Sequence, residues 1–159
     1  MKEEFAGLTQ ILEALRSRGE TISVAESITG GGLAQALTSL PGSSEIFRGS
    51  VTAYQSEIKS AILQVPAELI SEFGVVSEEV SAAMAGGVLA LMNSTWAIST
   101  TGVAGPGPAE GVAAGTVWVA IDGPISQTLQ LELTGSREIV RNATIEGAIA
   151  AFARILKTL

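Results

Sequence analysis

Short runs of β-forming residues alternate with segments of helical periodicity along this 159-residue chain, and this alternation limits the possible folds more than any other feature. Strands that alternate with helices build a largely parallel sheet that is covered on both faces. The last two β-forming runs are separated by Asp122-Gly123-Pro124, a typical hairpin turn, so we expect them to pair antiparallel. We therefore predict an α/β fold with a mixed, partly parallel sheet. Neither a repeat nor a linker interrupts the pattern, which indicates one domain over residues 1–159.

Residue spacing and turn-forming residues predict the individual elements. Apolar residues three and four positions apart indicate an amphipathic helix over residues ~4–18, closed by Gly19. Ser77 is the predicted N-cap of a second long helix. The apolar stripe of that helix is Val80, Met84, Val88 and Leu91. The β-forming runs are 21–25, 47–54, 96–100, 116–121 and 128–133, and the other predicted helices cover 33–40, the surroundings of Lys59, the residues after Pro66 and the chain from Gly135-Ser136 onward.

Two glycine-rich segments stand directly after β-forming runs. The first is Ser27-Ile28-Thr29-Gly30-Gly31-Gly32, and the second runs from Thr101 to Pro108. In open α/β sheets, ligands bind beyond the carboxyl ends of the strands. These two loops are therefore the predicted binding site. The first loop lacks the Gly-Lys-Ser/Thr of a phosphate loop and the spacing of a dinucleotide fingerprint.

The chain contains no histidine and no cysteine. Catalytic triads and dyads built on those residues, their metal sites and disulfides are therefore excluded. A nucleophile must be a serine, a threonine, a lysine or a carboxylate, and its base must be a lysine, a carboxylate or a tyrosine. Lys59 is the only lysine away from the chain ends. The net charge of -7 argues against nucleic acid as a partner.

The N-terminus carries no targeting signal, because no apolar stretch follows Met1-Lys2-Glu3-Glu4. No window reaches the ~18 uninterrupted apolar residues of a membrane span. We expect a cytoplasmic protein without a membrane partner.

Ser27, Tyr54 and Lys59 are the candidate catalytic residues. Ser27 lies where a strand gives way to a glycine turn, which can place main-chain N–H groups beside its hydroxyl, as a nucleophile with an oxyanion hole requires. The alternative is that Ser27 only caps the next helix. Tyr54 and Lys59 face the same cleft if their strand ends beside Ser27. To act as a base, Lys59 needs a pKa lowered from ~10.4 toward ~7–8, whereas the alternative is an ordinary surface lysine.

Arg137 and Arg141 lie four residues apart at the start of the last predicted helix and so share one face. Cations at a helix N-terminus oppose the helix dipole, which suggests a further role. One interpretation is that they clamp a phosphate or a carboxylate together with the helix N-terminus. The alternative is a salt bridge with Glu138 or Glu132.

Six short segments match one family pattern in order along nearly the whole chain. They are Ala25-Glu26-Ser27-Ile28-Thr29-Gly30-Gly31; Gly42-Ser43-Ser44 with Phe47, Gly49, Val51, Tyr54 and Lys59; Gly74-Val75-Val76-Ser77; Thr101-Gly102-Val103-Ala104-Gly105-Pro106; Gly115-Thr116-Val117; and Gly135-Ser136-Arg137 through Arg141. Together they resemble the C-terminal domain of the CinA competence/damage-inducible family. Stand-alone members of that family include nicotinamide mononucleotide deamidase.

The resemblance implies a three-layer α/β/α domain that hydrolyses the nicotinamide amide of the mononucleotide to the acid and ammonia, without a metal or other cofactor. It implies Ser27 as the nucleophile, Lys59 as its base and Tyr54 as a supporting hydroxyl. It also implies a homodimer, and the Ala- and Gly-rich helix 78–92 suits one. The expected contacts to the pyridine nucleotide are Thr29, Gly30, Gly31, Ser56, Thr101, Gly102, Ala104, Gly105, Arg137 and Arg141.

Three departures from the family pattern bear on activity and substrate. The family's cysteine after the serine is Ile28, and its asparagine two residues after the tyrosine is Ser56. The family's Lys-Pro-Val before Gly115 is absent from residues 108–114, which removes a cation that could contact the substrate. The alternative function is therefore a pyridine-nucleotide-binding module of the same fold with weak or no turnover.

Overall fold

The computed structural model describes residues 5–159, which form a five-stranded mixed sheet between two layers of helices. This arrangement confirms the predicted fold class. The strands are β1 (Ile22–Glu26), β2 (Phe47–Thr52), β3 (Trp96–Gly102), β4 (Thr116–Asp122) and β5 (Gln127–Glu132). The helices are α1 (Leu8–Arg18), α2 (Gly32–Leu37), α3 (Ser56–Leu63), α4 (Ala67–Phe73), α5 (Glu78–Met92) and α6 (Arg137–Leu156), and a 3-10 turn spans Ser43–Glu45.

The strand order is β2-β1-β3-β4-β5. Strand β1 pairs in parallel with both β2 and β3, whereas β4 and β5 follow as an antiparallel hairpin. The predicted Asp122 hairpin is therefore confirmed. Strand β1 has parallel neighbours on both sides, so the loop that follows it begins at the central crevice of the sheet. In sheets of this kind, ligands bind in that crevice.

The two faces of the sheet bury side chains of different size. Large apolar residues such as Val24 and Ile98 pack against α1, α2 and α6. On the opposite face Ala25, Ala97 and Ala120 pack against α5 and its neighbours. Successive side chains of a strand alternate between the faces, so each central strand contributes to both cores. The small residues on the second face let α5 lie close to the sheet.

Several element boundaries differ from the sequence-based predictions. The first helix begins at Leu8 because Gly7 adopts a left-handed φ of 103°, which ends helical geometry there; residue 4 lies outside the described range. Strand β2 ends at Thr52, two residues early, and β3 continues to Gly102 into the predicted loop. Ser77 caps α5 as predicted, because its side chain accepts a hydrogen bond from the Val80 N–H.

Leu91 does not belong to the buried stripe of α5. Val80, Met84 and Val88 are buried, but Leu91 is 54% exposed. The homodimer expected through this helix stays a prediction.

Glu26, the last residue of β1, is fully buried and holds the chain that follows it. Its carboxylate accepts hydrogen bonds from the Thr29 hydroxyl and from the N–H groups of Leu33 and Ala34 in α2. The N-cap residue of α2, Gly31, has no side chain to satisfy those N–H groups. A single carboxylate therefore ties β1, the glycine turn and α2 together.

Replacing Glu26 by glutamine should destabilise the fold, because the amide offers one oxygen to three donors and adds an NH2 group among them. We expect Glu26→Gln to lower the free energy of unfolding by about 2–3 kcal/mol in urea titrations. Glu45→Gln is the control, because Glu45 pairs with Arg16 at 3.1 Å on the exposed surface and such pairs contribute about 0–1 kcal/mol. Equal small losses in both variants would contradict the role of Glu26.

Candidate active site

The ends of β1, β2 and β3 meet at one edge of the sheet. Ser27 follows β1, Tyr54 follows β2 by two residues, and Thr101 lies near the end of β3. These residues line an open cleft of about 730 Å³. Ligand sites typically occupy about 300–1,000 Å³, so the cleft has the size of a binding site for a small molecule.

Lys59 reaches Ser27 inside this cleft. Its Nζ atom lies 3.1 Å from the Ser27 Oγ atom, 2.8 Å from the Ala53 carbonyl oxygen and 3.0 Å from the Tyr54 carbonyl oxygen. Lys59 is only 2% exposed. The alternative in which Lys59 is an ordinary surface lysine is therefore wrong. Lys59 is in α3, which starts four residues after the end of β2, and its side chain turns back to the carbonyl of Ala53 at that strand end.

The three oxygen neighbours of the Lys59 amine leave room for proton transfer between Lys59 and Ser27. A neutral amine has two N–H groups and one lone pair. In the structure Nζ donates to both carbonyl oxygens and to the Ser27 Oγ atom, and the Ser27 hydroxyl donates to the Tyr54 carbonyl. When the amine loses one proton it keeps two N–H groups for the carbonyl oxygens, and its lone pair then faces the Ser27 hydroxyl. The arrangement can therefore take a proton from Ser27 once the amine has lost its own extra proton.

Burial of the Lys59 side chain makes it easier for the amine to lose its extra proton. Desolvation lowers the pKa of the Lys59 amine from 10.5 to about 8, while the negative charge of Glu110 acts in the opposite direction. A pKa near 8 gives a fraction of neutral amine at physiological pH that a surface lysine does not have.

Ser27 is not the cap of the next helix. Its N–H donates to the Thr100 carbonyl, which extends the pairing of β1 with β3 by one residue. The N-cap of α2 is Gly31, and the Glu26 carboxylate accepts from the α2 N–H groups instead. The alternative in which Ser27 is a capping serine is therefore wrong.

The turn after Ser27 depends on glycine. Gly30 and Gly31 have φ values of 58° and 100°, which side-chain-bearing residues rarely adopt. The Gly30 N–H closes the turn on the Ser27 carbonyl.

The Tyr54 side chain lies at the rim of the cleft. It is 56% exposed, and its hydroxyl accepts a hydrogen bond from Arg137 at 3.0 Å. It is the main-chain oxygen of Tyr54 that accepts hydrogen bonds from Lys59 and, at 3.4 Å, from the Ser27 hydroxyl. The contact between Tyr54 and the Ser27–Lys59 pair is thus made by the backbone.

The structure brings most of the expected substrate contacts into the cleft and leaves four outside its lining. Those in the cleft are Ser56, Thr101, Gly102, Ala104, Gly105 and Arg137. Thr29 is buried with its hydroxyl on Glu26 and Thr100, and Gly31 lies behind it near Thr52. Gly30 and Arg141 lie together beside the turn. Binding roles for these ten residues stay predictions.

The two arginines have different surroundings although they share one helix face. Arg137 donates to the Gly105 carbonyl and the Tyr54 hydroxyl, at the cleft. Arg141 donates to the carbonyls of Ile28 and Thr29 beside a second cavity of about 480 Å³. Among residues 5–159 the one ion pair joins Arg16 and Glu45. The alternative in which the arginines pair with Glu138 or Glu132 is therefore wrong.

Sequence reasoning missed several residues that line the cleft, and four of them stand out. Val75 and Val76 stand in one of the matching segments, and the Val75 carbonyl accepts from the Thr101 hydroxyl. Glu57 is in the first turn of α3. Glu110 stands with Gly111 at the tip of a tight turn closed by reciprocal hydrogen bonds between Ala109 and Val112. No spacing in the sequence connects these residues with Ser27.

No helix in residues 5–159 is long and apolar enough to cross a bilayer. No group of three acidic, histidine or cysteine side chains in the same range is placed to hold a metal ion.

The comparison with protein families identifies the class of this fold and site. Residues 6–156 match the CinA C-terminal domain, and the chain belongs to that family. It is 44% identical over 128 residues to a CinA-like protein of Parasynechococcus marenigrum, covering 80% of this chain and 30% of that one. A CinA-like protein of Frankia casuarinae is 40% identical over 150 residues, covering 94% and 35%. The chain thus spans about a third of the curated relatives it matches.

Solved structures share the whole fold. The crystal structure of a competence-damaged protein (CinA) superfamily protein from Klebsiella pneumoniae superposes with a TM-score of 0.92 at 34% identity, and the match covers 96% of both chains. The competence/damage inducible protein CihA from Agrobacterium tumefaciens gives a TM-score of 0.87 at 29% identity and covers 98% of this chain and 99% of that one. These two solved chains match this one almost end to end.

The lowered pKa of Lys59 predicts a specific dependence of stability on pH. Below pH 8 the amine is protonated in both the native and the unfolded protein. Between about 8 and 10.5 only the unfolded chain keeps the proton, so the free energy of unfolding rises with pH. From pH 7 to 9.5 this gain is about 2 kcal/mol.

Urea unfolding at a series of pH values measures this gain, and two variants isolate it. Lys59→Met should lose the rise, whereas Lys157→Met, which replaces an exposed lysine at the end of α6, should keep it. Identical pH dependence in wild type and Lys59→Met would contradict the lowered pKa.

Proposed function

We propose that this protein is an amidohydrolase that converts nicotinamide mononucleotide, or a close pyridine nucleotide, to the corresponding acid and ammonia. The observation that carries the proposal is the 3.1 Å contact between the buried Lys59 amine and the Ser27 hydroxyl inside the cleft. Membership of the CinA family supports the substrate class through the resemblance described above.

The first half of the reaction acylates Ser27. Neutral Lys59 takes the proton of the Ser27 hydroxyl as the Oγ atom attacks the carboxamide carbon. The tetrahedral intermediate carries a negative oxygen. When it collapses, the C–N bond breaks, and the Lys59 ammonium returns the proton to the departing nitrogen, which leaves as ammonia.

The second half releases the acid. Lys59, neutral again, takes a proton from a water molecule that attacks the acyl ester. The C–O bond to Ser27 breaks, and the proton on Lys59 returns to the Oγ atom. One amide and one water are consumed, and one acid and one ammonia are formed. The same amine thus acts as base and acid in both halves, as general acid–base catalysis requires.

The charges around the cleft suit a nucleotide with a cationic ring. Arg137 stands at the first position of α6, where the guanidinium and the helix N-terminus both attract a phosphate. Glu57 and Glu110 line the same cleft and attract positive charge such as that of an N-substituted pyridinium ring. We propose that the phosphate binds at Arg137.

A binding module without turnover is the second candidate. The Glu110 carboxylate raises the pKa of Lys59 and so opposes formation of the neutral base. Ammonia release from a panel of pyridine nucleotides and amides, together with calorimetric binding of the same compounds, separates the two functions. Binding without ammonia release would overturn the amidohydrolase.

Replacing Ser27 tests the nucleophile. We expect Ser27→Ala to lower ammonia release by roughly a thousandfold or more while the Kd for substrate changes only a few-fold, because a nucleophile acts in the transition state. Ser50→Ala, which replaces an exposed serine of β2, is the matched control and should keep wild-type turnover. Turnover retained in Ser27→Ala would rule out the covalent mechanism.

Replacing Lys59 by arginine separates a base from a positive charge. Arginine keeps the charge, but its pKa above ~12 prevents it from being neutral at working pH. We expect Lys59→Arg to fail as badly as Lys59→Ala. A variant that retains more than about a tenth of the wild-type kcat, a loss below about 1.4 kcal/mol, would exclude Lys59 as the base.

The pH profile gives an independent measure of the same base. In the wild type, kcat/KM should rise with pH and level off above about 8, because the productive form of Lys59 is the deprotonated one. The rising limb should be absent from the residual activity of both Lys59 variants. A wild-type profile that continues to rise toward the ~10.4 of a free lysine would contradict the account.

A further inference from the structure

Arg141 holds the main-chain turn that follows Ser27, although it does not line the cleft. From the second turn of α6, its Nε atom donates to the Ile28 carbonyl at 3.2 Å and its Nη2 atom donates to the Thr29 carbonyl at 3.1 Å. The side chain is half-buried. One guanidinium thus fixes two consecutive peptide groups, Ile28–Thr29 and Thr29–Gly30, which begin one residue after the serine.

Because the peptide group is planar and trans, holding its carbonyl also fixes the direction of its N–H. In a trans peptide the C=O and N–H groups point in opposite directions. Because the Ile28 carbonyl faces Arg141, the Thr29 N–H of the same peptide faces the other side of the turn. The next N–H along, that of Gly30, is already bonded to the Ser27 carbonyl. The N–H groups of Ile28 and Thr29 have no acceptor within residues 5–159, and of these two residues Ile28 lines the cleft.

The Arg141 guanidinium has no partner in the described chain other than this turn. No carboxylate pairs with Arg141 in the described chain. A Cβ atom on Gly30 would lie 3.1 Å from the Arg141 Nη2 atom, so the turn and the guanidinium are packed closely.

We propose that Arg141 is a positioning residue, which orients the main-chain N–H groups after Ser27 so that they stabilise the oxyanion of the tetrahedral intermediate. This inference rests on the proposed acyl transfer. It assigns the two arginines different tasks: Arg137 binds the substrate, and Arg141 acts on the transition state through the turn. Donors aimed at a developing oxyanion affect kcat rather than KM.

The steady-state test compares three arginines of α6 in the full chain with nicotinamide mononucleotide as substrate. Arg141→Gln and Arg141→Lys should lower kcat by roughly 10- to 100-fold with KM within about threefold. Arg137→Gln should act mainly by raising KM. Arg154→Gln, which replaces an exposed arginine near the end of the same helix, should change neither constant. A raised KM with unchanged kcat in the Arg141 variants would make Arg141 a phosphate ligand and overturn the proposal.

A second readout does not depend on the substrate. A fluorophosphonate probe forms a P–O bond to an activated serine with loss of fluoride, and in the transition state its phosphoryl oxygen gains negative charge where the amide oxyanion would form. Wild type should be labelled at Ser27, and both Arg141 variants should be labelled at least tenfold more slowly at every pH, with the apparent pKa of the labelling rate unchanged. A purely structural role would not leave that pKa in place while the rate falls.

The outcomes separate the two proposals. Labelling of wild type without ammonia release would overturn the proposed substrate but still test Arg141 through the labelling rates. Equal labelling rates in wild type and the Arg141 variants would overturn the positioning role. Loss of folded structure in both variants, measured by thermal unfolding, would show Arg141 to be a structural residue and would also overturn it. A wild type that neither reacts nor turns over would overturn both.

Discussion

The contact on which the rest of the site depends is the one between the Lys59 amine and its three oxygen neighbours. Burial disfavours the ammonium and lowers the pKa of Lys59, while two carbonyls and the Ser27 hydroxyl hold the amine within reach of the serine proton. The chain has no histidine, so a desolvated lysine is the group that can exchange a proton near neutral pH at this place. The cleft, the glycine turn after Ser27 and Arg137 at the rim lie around the Ser27–Lys59 pair.

The sheet makes this contact possible. Because β2 and β1 are parallel neighbours, the residues that follow them emerge at the same edge. Ser27 follows β1, and its N–H is still hydrogen-bonded to Thr100 of β3. Lys59 is in α3, and its side chain lies over the end of β2. The Glu26 carboxylate and the Arg141 guanidinium then hold the serine turn from two sides, one from the strand and one from the last helix.

Local patterns in the sequence were enough for the fold class, the Asp122 hairpin, the Ser77 cap and the family. They also made Ser27 and Lys59 candidates for nucleophile and base, since the composition leaves few groups able to act so, and the structure brings these two side chains into contact. What they could not predict rests on contacts between distant residues. Arg141 donates a hydrogen bond to the Ile28 carbonyl, 113 positions away in the sequence. The negative charge of Glu110, which lies in a separate loop, raises the pKa of Lys59. The start of α1 was missed because Gly7 interrupts the helix locally.

The central claim is an acyl-enzyme on Ser27, and partitioning between water and hydroxylamine tests it most directly. The measurement compares nicotinamide mononucleotide with the methyl ester of its acid, which has the same acyl group and a different leaving group. If both form one acyl-serine, hydroxylamine intercepts the same species in each case. The account predicts an identical ratio of hydroxamate to acid from the amide and the ester. A ratio that depends on the leaving group, or acid alone from both substrates, would contradict it.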